Sequence, residues 1–201
     1  MTKSKTAIAI VGSYRKGGTV DAAVSEIVSS LQQQGIESEK IYLQDCTIAF
    51  CTNCRSCLQT PGPSRGRCIH EDDMENLLQR IEAADVLVIG APTNAGSVNA
   101  LTRRFLERCV GFAYWPWGAR APVLRVKTRR KASILVSASG APALIGRYFN
   151  DTMKTLRTLS RYLGARPVGT VWIGGVTAEK YRISVRTRKR IHRLTHKLVE
   201  H

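Results

Sequence analysis

Thr6-Ala7-Ile8-Ala9-Ile10-Val11-Gly12-Ser13-Tyr14-Arg15-Lys16-Gly17-Gly18-Thr19 is the stretch whose reading decides the fold. Its first six residues are mostly apolar and β-branched, which suits a short strand buried on both faces and ending at Gly12. After the glycine loop, Val20, Ala23, Val24, Ile27, Val28 and Leu31 recur at helical spacing over 19–34, and Gly35 stops the helix. The resulting unit is strand, glycine loop, helix.

The same alternation continues outward. Strands are expected at 38–43, 85–90, 132–137 and 167–173. Glu71-Asp72-Asp73 opens a helix carrying Met74, Leu77, Leu78 and Ile81, with carboxylates at the positive end of its dipole. Further helices are expected around 98–109, near 146–163 and over 178–200, the last with Ile183, Ile191, Leu194 and Leu198 facing the core. Five strands alternating with helices predict an α/β fold with a doubly wound parallel sheet, whose ligands sit at the carboxyl ends of the strands where the strand order reverses.

A chain of 201 residues with 43% apolar content supports one domain, 1–201, with a cysteine-rich segment at 46–70 inserted in it. No apolar run approaches the ~20 residues of a membrane span, so no membrane partner is expected. The first apolar run, 7–11, is too short for a signal-peptide core, and a cytoplasmic protein is expected.

The formal charge of +16 is unevenly spread: residues 1–120 hold 13 Lys/Arg against 12 Asp/Glu, and residues 121–201 hold 18 against 3. Such a surface speeds encounter with acidic partners. A basic face alone is weak grounds for nucleic-acid binding, which is not expected.

The loop 12–19 offers an anion backbone N–H groups, the positive end of a helix, the hydroxyls of Ser13 and Thr19 and the charge of Arg15 or Lys16. It matches neither the dinucleotide fingerprint nor the nucleoside-triphosphatase pattern, and suits one terminal phosphate. Four of the six cysteines stand as Cys51-x2-Cys54-x2-Cys57-x10-Cys68. Three thiolates at three-residue intervals can curl around one iron-sulfur cube, and a fourth from the far side of the loop completes the set. Structural zinc and free or disulfide-forming thiols are the competing readings. Arg55, Arg65 and Arg67 would offset part of the charge of a cluster. Cys46 and Cys109 fit no ligand spacing and read as structural thiols. No histidine stands at triad spacing, and no catalytic residue is assigned.

The loop at 12–19, the cysteine block with Asp72-Asp73-Met74, the run 84–93, the segment 96–108 and Ser139-Gly140 together resemble the NAD(P)H-dependent FMN reductase family of flavodoxin-like proteins, and within it the iron-sulfur flavoproteins. The resemblance implies a flavodoxin-like fold, FMN phosphate held by Ser13, Arg15, Gly17, Gly18 and Thr19, and a flavin ring between Pro92, Thr93, Asn94, Ala95, Gly96 and Ser139, Gly140. It implies a 4Fe-4S cluster on Cys51, Cys54, Cys57 and Cys68, and a homo-oligomer. Two departures stand out: Thr19-Val20 replaces the family's Asn-Thr, and Asn94-Ala95 replaces an aromatic pair, for which either Trp115 or Trp117, from this chain or a partner subunit, is the expected substitute, or flavin binding is weakened.

The functional expectation is an electron-transfer flavoprotein or oxidoreductase with FMN and a 4Fe-4S cluster, served by an acidic carrier such as a ferredoxin or by NAD(P)H. Two alternatives stay open: an FMN or quinone reductase without the cluster, and a flavin-free basic binding protein of the same fold.

Overall fold

The computed structural model describes residues 4–126, 130–142, 150–178 and 181–199. The elements run β1 (Thr6–Val11), α1 (Thr19–Gln33), β2 (Glu37–Tyr42), α2 (Met74–Ala83), β3 (Val86–Asn94), β4 (Ser97–Val98), α3 (Ala100–Arg108), β5 (Ala113–Tyr114), β6 (Val123–Leu124), β7 (Lys131–Ala138), α4 (Thr152–Tyr162), β8 (Ala165–Ile173) and α5 (Val185–Val199). Five strands pair in parallel in the order β2-β1-β3-β7-β8, the flavodoxin-like arrangement, with its switch point between β1 and β3.

The period of two along each strand divides the core. Ile8, Ile10, Leu87, Ile89 and Leu135 pack toward α2, α3 and α4, while Ala7, Ala9, Val11, Val86, Val88, Ile134 and Val136 pack toward α1 and α5. Both faces of the central strands are therefore apolar, which is why these segments show no polar alternation. Each fully buried Ile or Leu contributes about 1.5–3 kcal/mol.

Three boundaries shift by more than two residues from expectation. β3 runs on to Asn94, because Ala95 (φ 46°) and Gly96 (φ 77°) form a two-residue turn that returns β4 antiparallel onto it, with Asn94 opposite Ser97. α2 starts at Met74, and Asp72 and Asp73 spend their carboxylates on the cysteine segment. α5 starts at Val185; Ile191, Leu194 and Leu198 are buried, whereas Ile183 precedes the helix. The expected helix start near 146 lies outside the described residues, and α4 begins at Thr152.

Candidate functional site

The loop after β1 is built by side chains that fold its backbone back on itself. Gly12 donates to the Gly90 carbonyl at 2.7 Å, and its own carbonyl accepts from Asn99 Nδ2 at 2.7 Å and Thr102 Oγ1 at 3.2 Å. A Cβ on Gly12 would stand 2.1 Å from Thr102 Oγ1, so only glycine permits this approach. Asn99 also caps α3 by accepting from the Thr102 N–H at 3.1 Å. Neither residue was singled out from the sequence; an Asn three residues before a Thr at a helix start was the available signal.

Ser13 Oγ accepts the Arg15 N–H at 3.1 Å. Asp21 accepts the Gly17 N–H at 2.6 Å, Lys40 Nζ at 3.0 Å and the Tyr42 hydroxyl at 2.9 Å. Burial works against the Asp21 carboxylate, but these donors outweigh it and hold its pKa below the ordinary value. The Gly17 N–H is thus committed within the loop. The N–H groups of Thr19, Val20 and Asp21, which have no intrahelical partner, are what the first turn of α1 offers an anion.

A cavity of about 240 Å³ opens at the carboxyl ends of the strands. Nine expected residues line it: Ser13, Arg15, Gly18, Thr19, Pro92, Thr93, Asn94, Ser139 and Gly140. Gly17 does not, and Ala95 and Gly96 stand at the hairpin tip outside the lining. Tyr14, Val20, Ala138 and Val176 complete the wall. Thr93 Oγ1 is fixed 2.9 Å from Thr152 Oγ1, and the Ser139 N–H donates to the Ile173 carbonyl at 2.9 Å. The aromatic residue of the lining is Tyr14, 55% exposed. Within the chain, Trp115 and Trp117 stand elsewhere: their rings lie 4.2 and 4.0 Å from the Arg55 guanidinium carbon, at the cysteine segment. A larger hollow of about 340 Å³ lies at the other end of the sheet, around Lys5, Asp85 and Lys131, and holds none of the expected residues.

Cys51, Cys54, Cys57 and Cys68 all line one small hollow of about 20 Å³, with Arg55, His70 and Arg108. Asn53 (φ 53°) and Arg55 (φ 62°) flank Cys54 in the left-handed region, which curls the loop inward. Burial and the neighbouring Cys68, Cys51 and Cys54 sulfurs push the Cys57 thiol up, whereas Ser56 lowers that of exposed Cys54. Among the described residues, no three ligating groups converge tightly enough to hold a single metal ion.

The rest of the segment is anchored by arginines. Arg125 donates to the carbonyls of Gly111, Ala113, Gly62 and Cys57. Arg65 is committed to Glu75 and Glu82 at 2.8–3.4 Å, and Arg67 is exposed. The guanidinium that meets the thiols is Arg108, bonded to Asp72 at 2.5 and 3.2 Å and to the Ala49 carbonyl at 2.9 Å. Burial opposes its charge, but Asp72 and the Cys68 sulfur beside it raise its pKa. The signal for Arg108 was present in the sequence: it shares the buried stripe of α3 with Leu101 and Phe105.

Two chemical tests address an iron-sulfur group here. Four thiols around one hollow are the donor set such a group takes. Among the described residues, four buried side-chain nitrogens lack a hydrogen-bond partner, and three of them, Arg55 Nε, His70 Nε2 and Arg108 Nε, belong to this hollow. Buried donors without acceptors are few in native structures, and cluster sulfurs are acceptors. The hollow is smaller than a four-iron cube, so the cysteine segment must widen to seat one. Cys46 and Cys109 stand apart: burial raises both thiols, and Cys109 donates to the Phe105 carbonyl at 3.2 Å.

The NADPH-dependent FMN reductase family matches residues 6–178, and the chain belongs to that family. A relative described as an iron-sulfur flavoprotein, from Archaeoglobus fulgidus, is 31% identical over 149 residues, 74% of this chain and 62% of that one. The chain spans between about half and three-fifths of the length of the curated relatives it matches. Among solved structures it shares its fold with an azoreductase from Bacillus anthracis (TM-score 0.70, 14% identity, 96% of this chain and 99% of that one). A second is an FMN-dependent NADH-azoreductase from the same species in complex with FMN (TM-score 0.66, 15% identity, 97% and 99%). No helix among the described residues is long and apolar enough to cross a membrane.

Proposed function

We propose that this chain is an electron-transfer flavoprotein, a single flavodoxin-like domain that binds FMN in the cavity at the strand ends and a 4Fe-4S cluster on Cys51, Cys54, Cys57 and Cys68. Bound FMN exchanges electrons as a pair or singly, and a 4Fe-4S cluster exchanges them one at a time.

One observation carries the pairing of the two groups. The first residue of α3's cap, Asn99, holds the Gly12 carbonyl beside the flavin cavity, and the last residue of α3, Arg108, lines the cysteine hollow. At ~1.5 Å per residue this nine-residue helix is about 13 Å long, and it ties the supports of both sites to one rigid element. The residues assigned to FMN divide by chemistry. Thr19, Gly18 and Arg15 meet the phosphate with N–H groups and charge, Thr93, Asn94, Ser139 and Gly140 flank the ring, and Tyr14 supplies an apolar face at the cavity mouth.

The family description makes NAD(P)H the expected donor. An acidic protein carrier such as a ferredoxin suits the exposed cations Arg186, Lys189, Arg193 and Lys197 of α5. Exposed Tyr14, Phe50, Ile69 and Trp117 near the two sites support a homo-oligomer that covers them. A second reading, a flavin reductase whose thiols hold zinc or stay free, is favoured by the small size of the cysteine hollow.

The absorbance spectrum of protein purified without oxygen separates these. The first reading gives flavin bands over a broad absorption that bleaches on reduction; the second gives flavin bands alone. A colourless protein contradicts both.

A further inference from the structure

We propose that Arg108, held by Asp72, is a positioning residue that joins Arg55 and His70 in directing N–H donors at the sulfur ligands of the four-cysteine centre, making that centre easier to reduce. This rests on the reading that the four cysteines hold a cluster.

The geometry assigns each donor a fixed support. The Arg108 side chain is 1% exposed, and both of its terminal nitrogens are taken by Asp72, one of them also by the Ala49 carbonyl. Asp72 in turn accepts the N–H of Ala49 at 2.8 Å and of Met74 at 3.1 Å. The guanidinium is therefore held in place, and its Nε makes no hydrogen bond of good geometry while the Cys68 sulfur lies close beside the group. Arg55 is held between two indole rings and donates through Nη2 to the Trp115 carbonyl at 2.7 Å, which again leaves Nε over. His70 Nε2 is likewise buried without a partner, and it is a donor when the ring carries its hydrogen there.

Leaving such a donor buried and unpaired is unfavourable. Three around one set of thiols are explained if sulfur accepts from them. Reduction adds one electron, delivered by the flavin or the carrier, to a centre already negative through its four thiolates. Hydrogen bonds and positive charge at the sulfurs favour the reduced state and raise the potential.

A purely structural arginine, one that only ties the two ends of the cysteine segment to α3, would alter stability and iron retention and leave the potential unmoved. The test is an anaerobic redox titration of the full chain followed by electron paramagnetic resonance, with iron and sulfide measured on each sample. Arg108→Lys keeps the charge and loses Nε and the fork onto Asp72. It is expected to lower the midpoint by tenfold in the reduction equilibrium, about 59 mV for one electron. Arg55→Lys and His70→Gln, which leave the Asp72 pair intact, are expected to shift it the same way by less, and they carry the test if Arg108→Lys fails to load. Parent-like midpoints in the variants that hold iron overturn the proposal. A parent protein without iron and sulfide fails earlier, at the cluster reading itself, and metal analysis identifies that outcome before any variant is titrated.

Discussion

The carbonyl oxygen of Cys57 lies 1.7 Å from the point where a Cβ on Gly66 would stand. The Pro-Gly-Pro insertion thus returns against the third cysteine at backbone contact, and the Gly66 N–H is fixed to the Gly111 carbonyl at 2.9 Å. This contact brings Cys68 back to the other three thiols. Gly66→Ala must push the two segments apart, at a cost of about 1–3 kcal/mol. Urea denaturation is expected to show that loss, and iron per chain is expected to fall with it; unchanged iron would mean that the contact does not shape the site.

Asp21 supports the phosphate loop through the Gly17 N–H. Asp21→Asn keeps the shape and removes the charge that answers Lys40, with an expected loss of about 1–3 kcal/mol at neutral pH. The pH dependence has a definite sign. A carboxylate with a depressed folded-state pKa stabilises fully above its unfolded value, 3.8, and loses that contribution as pH falls through the lower folded value. The parent and Asp21→Asn are therefore expected to differ most near neutrality and to converge in acid, as read by thermal unfolding across pH.

Arg15 tests whether the loop binds a phosphate. FMN is expected to bind at least tenfold more tightly than riboflavin, and Arg15→Gln to weaken FMN by about 1.5–3 kcal/mol while leaving riboflavin unaffected. Flavin fluorescence titrations measure both. Equal affinity of the parent for the two flavins would remove the phosphate assignment.

How much of this was legible in sequence depended on the range of the forces involved. The strand, loop and helix at 6–33 and the nine residues lining the cavity follow from local periodicity and resemblance. The third long strand was expected to end at 90 and runs to Asn94, because the two-residue hairpin at Ala95-Gly96 carries no Asn-Gly or Asp-Gly signature. Asp72 read as a helix-start carboxylate, yet its partner Arg108 is 36 residues away, a pairing with no local signature. Trp115 and Trp117 were expected to stand in for the family's missing aromatic pair, and their pairing with Arg55 depends on how the segment 55–59 meets 112–117 in space.

The basic α5 gives a kinetic expectation. Replacing Arg186, Lys189 and Arg193 by Glu should slow electron exchange with an acidic carrier several-fold at low salt, with the difference shrinking as ionic strength rises. Stopped-flow rates with ferredoxin across salt measure it. Rates identical to the parent at all ionic strengths would place carrier docking elsewhere.

The pairing of flavin and cluster on one domain is tested most directly by the iron, acid-labile sulfide, zinc and FMN content of protein purified without oxygen. The expected result is FMN together with iron and sulfide in equal amounts, both lost from a Cys57→Ser variant that keeps its FMN. Zinc in place of iron, or FMN with neither metal nor sulfide, would contradict it.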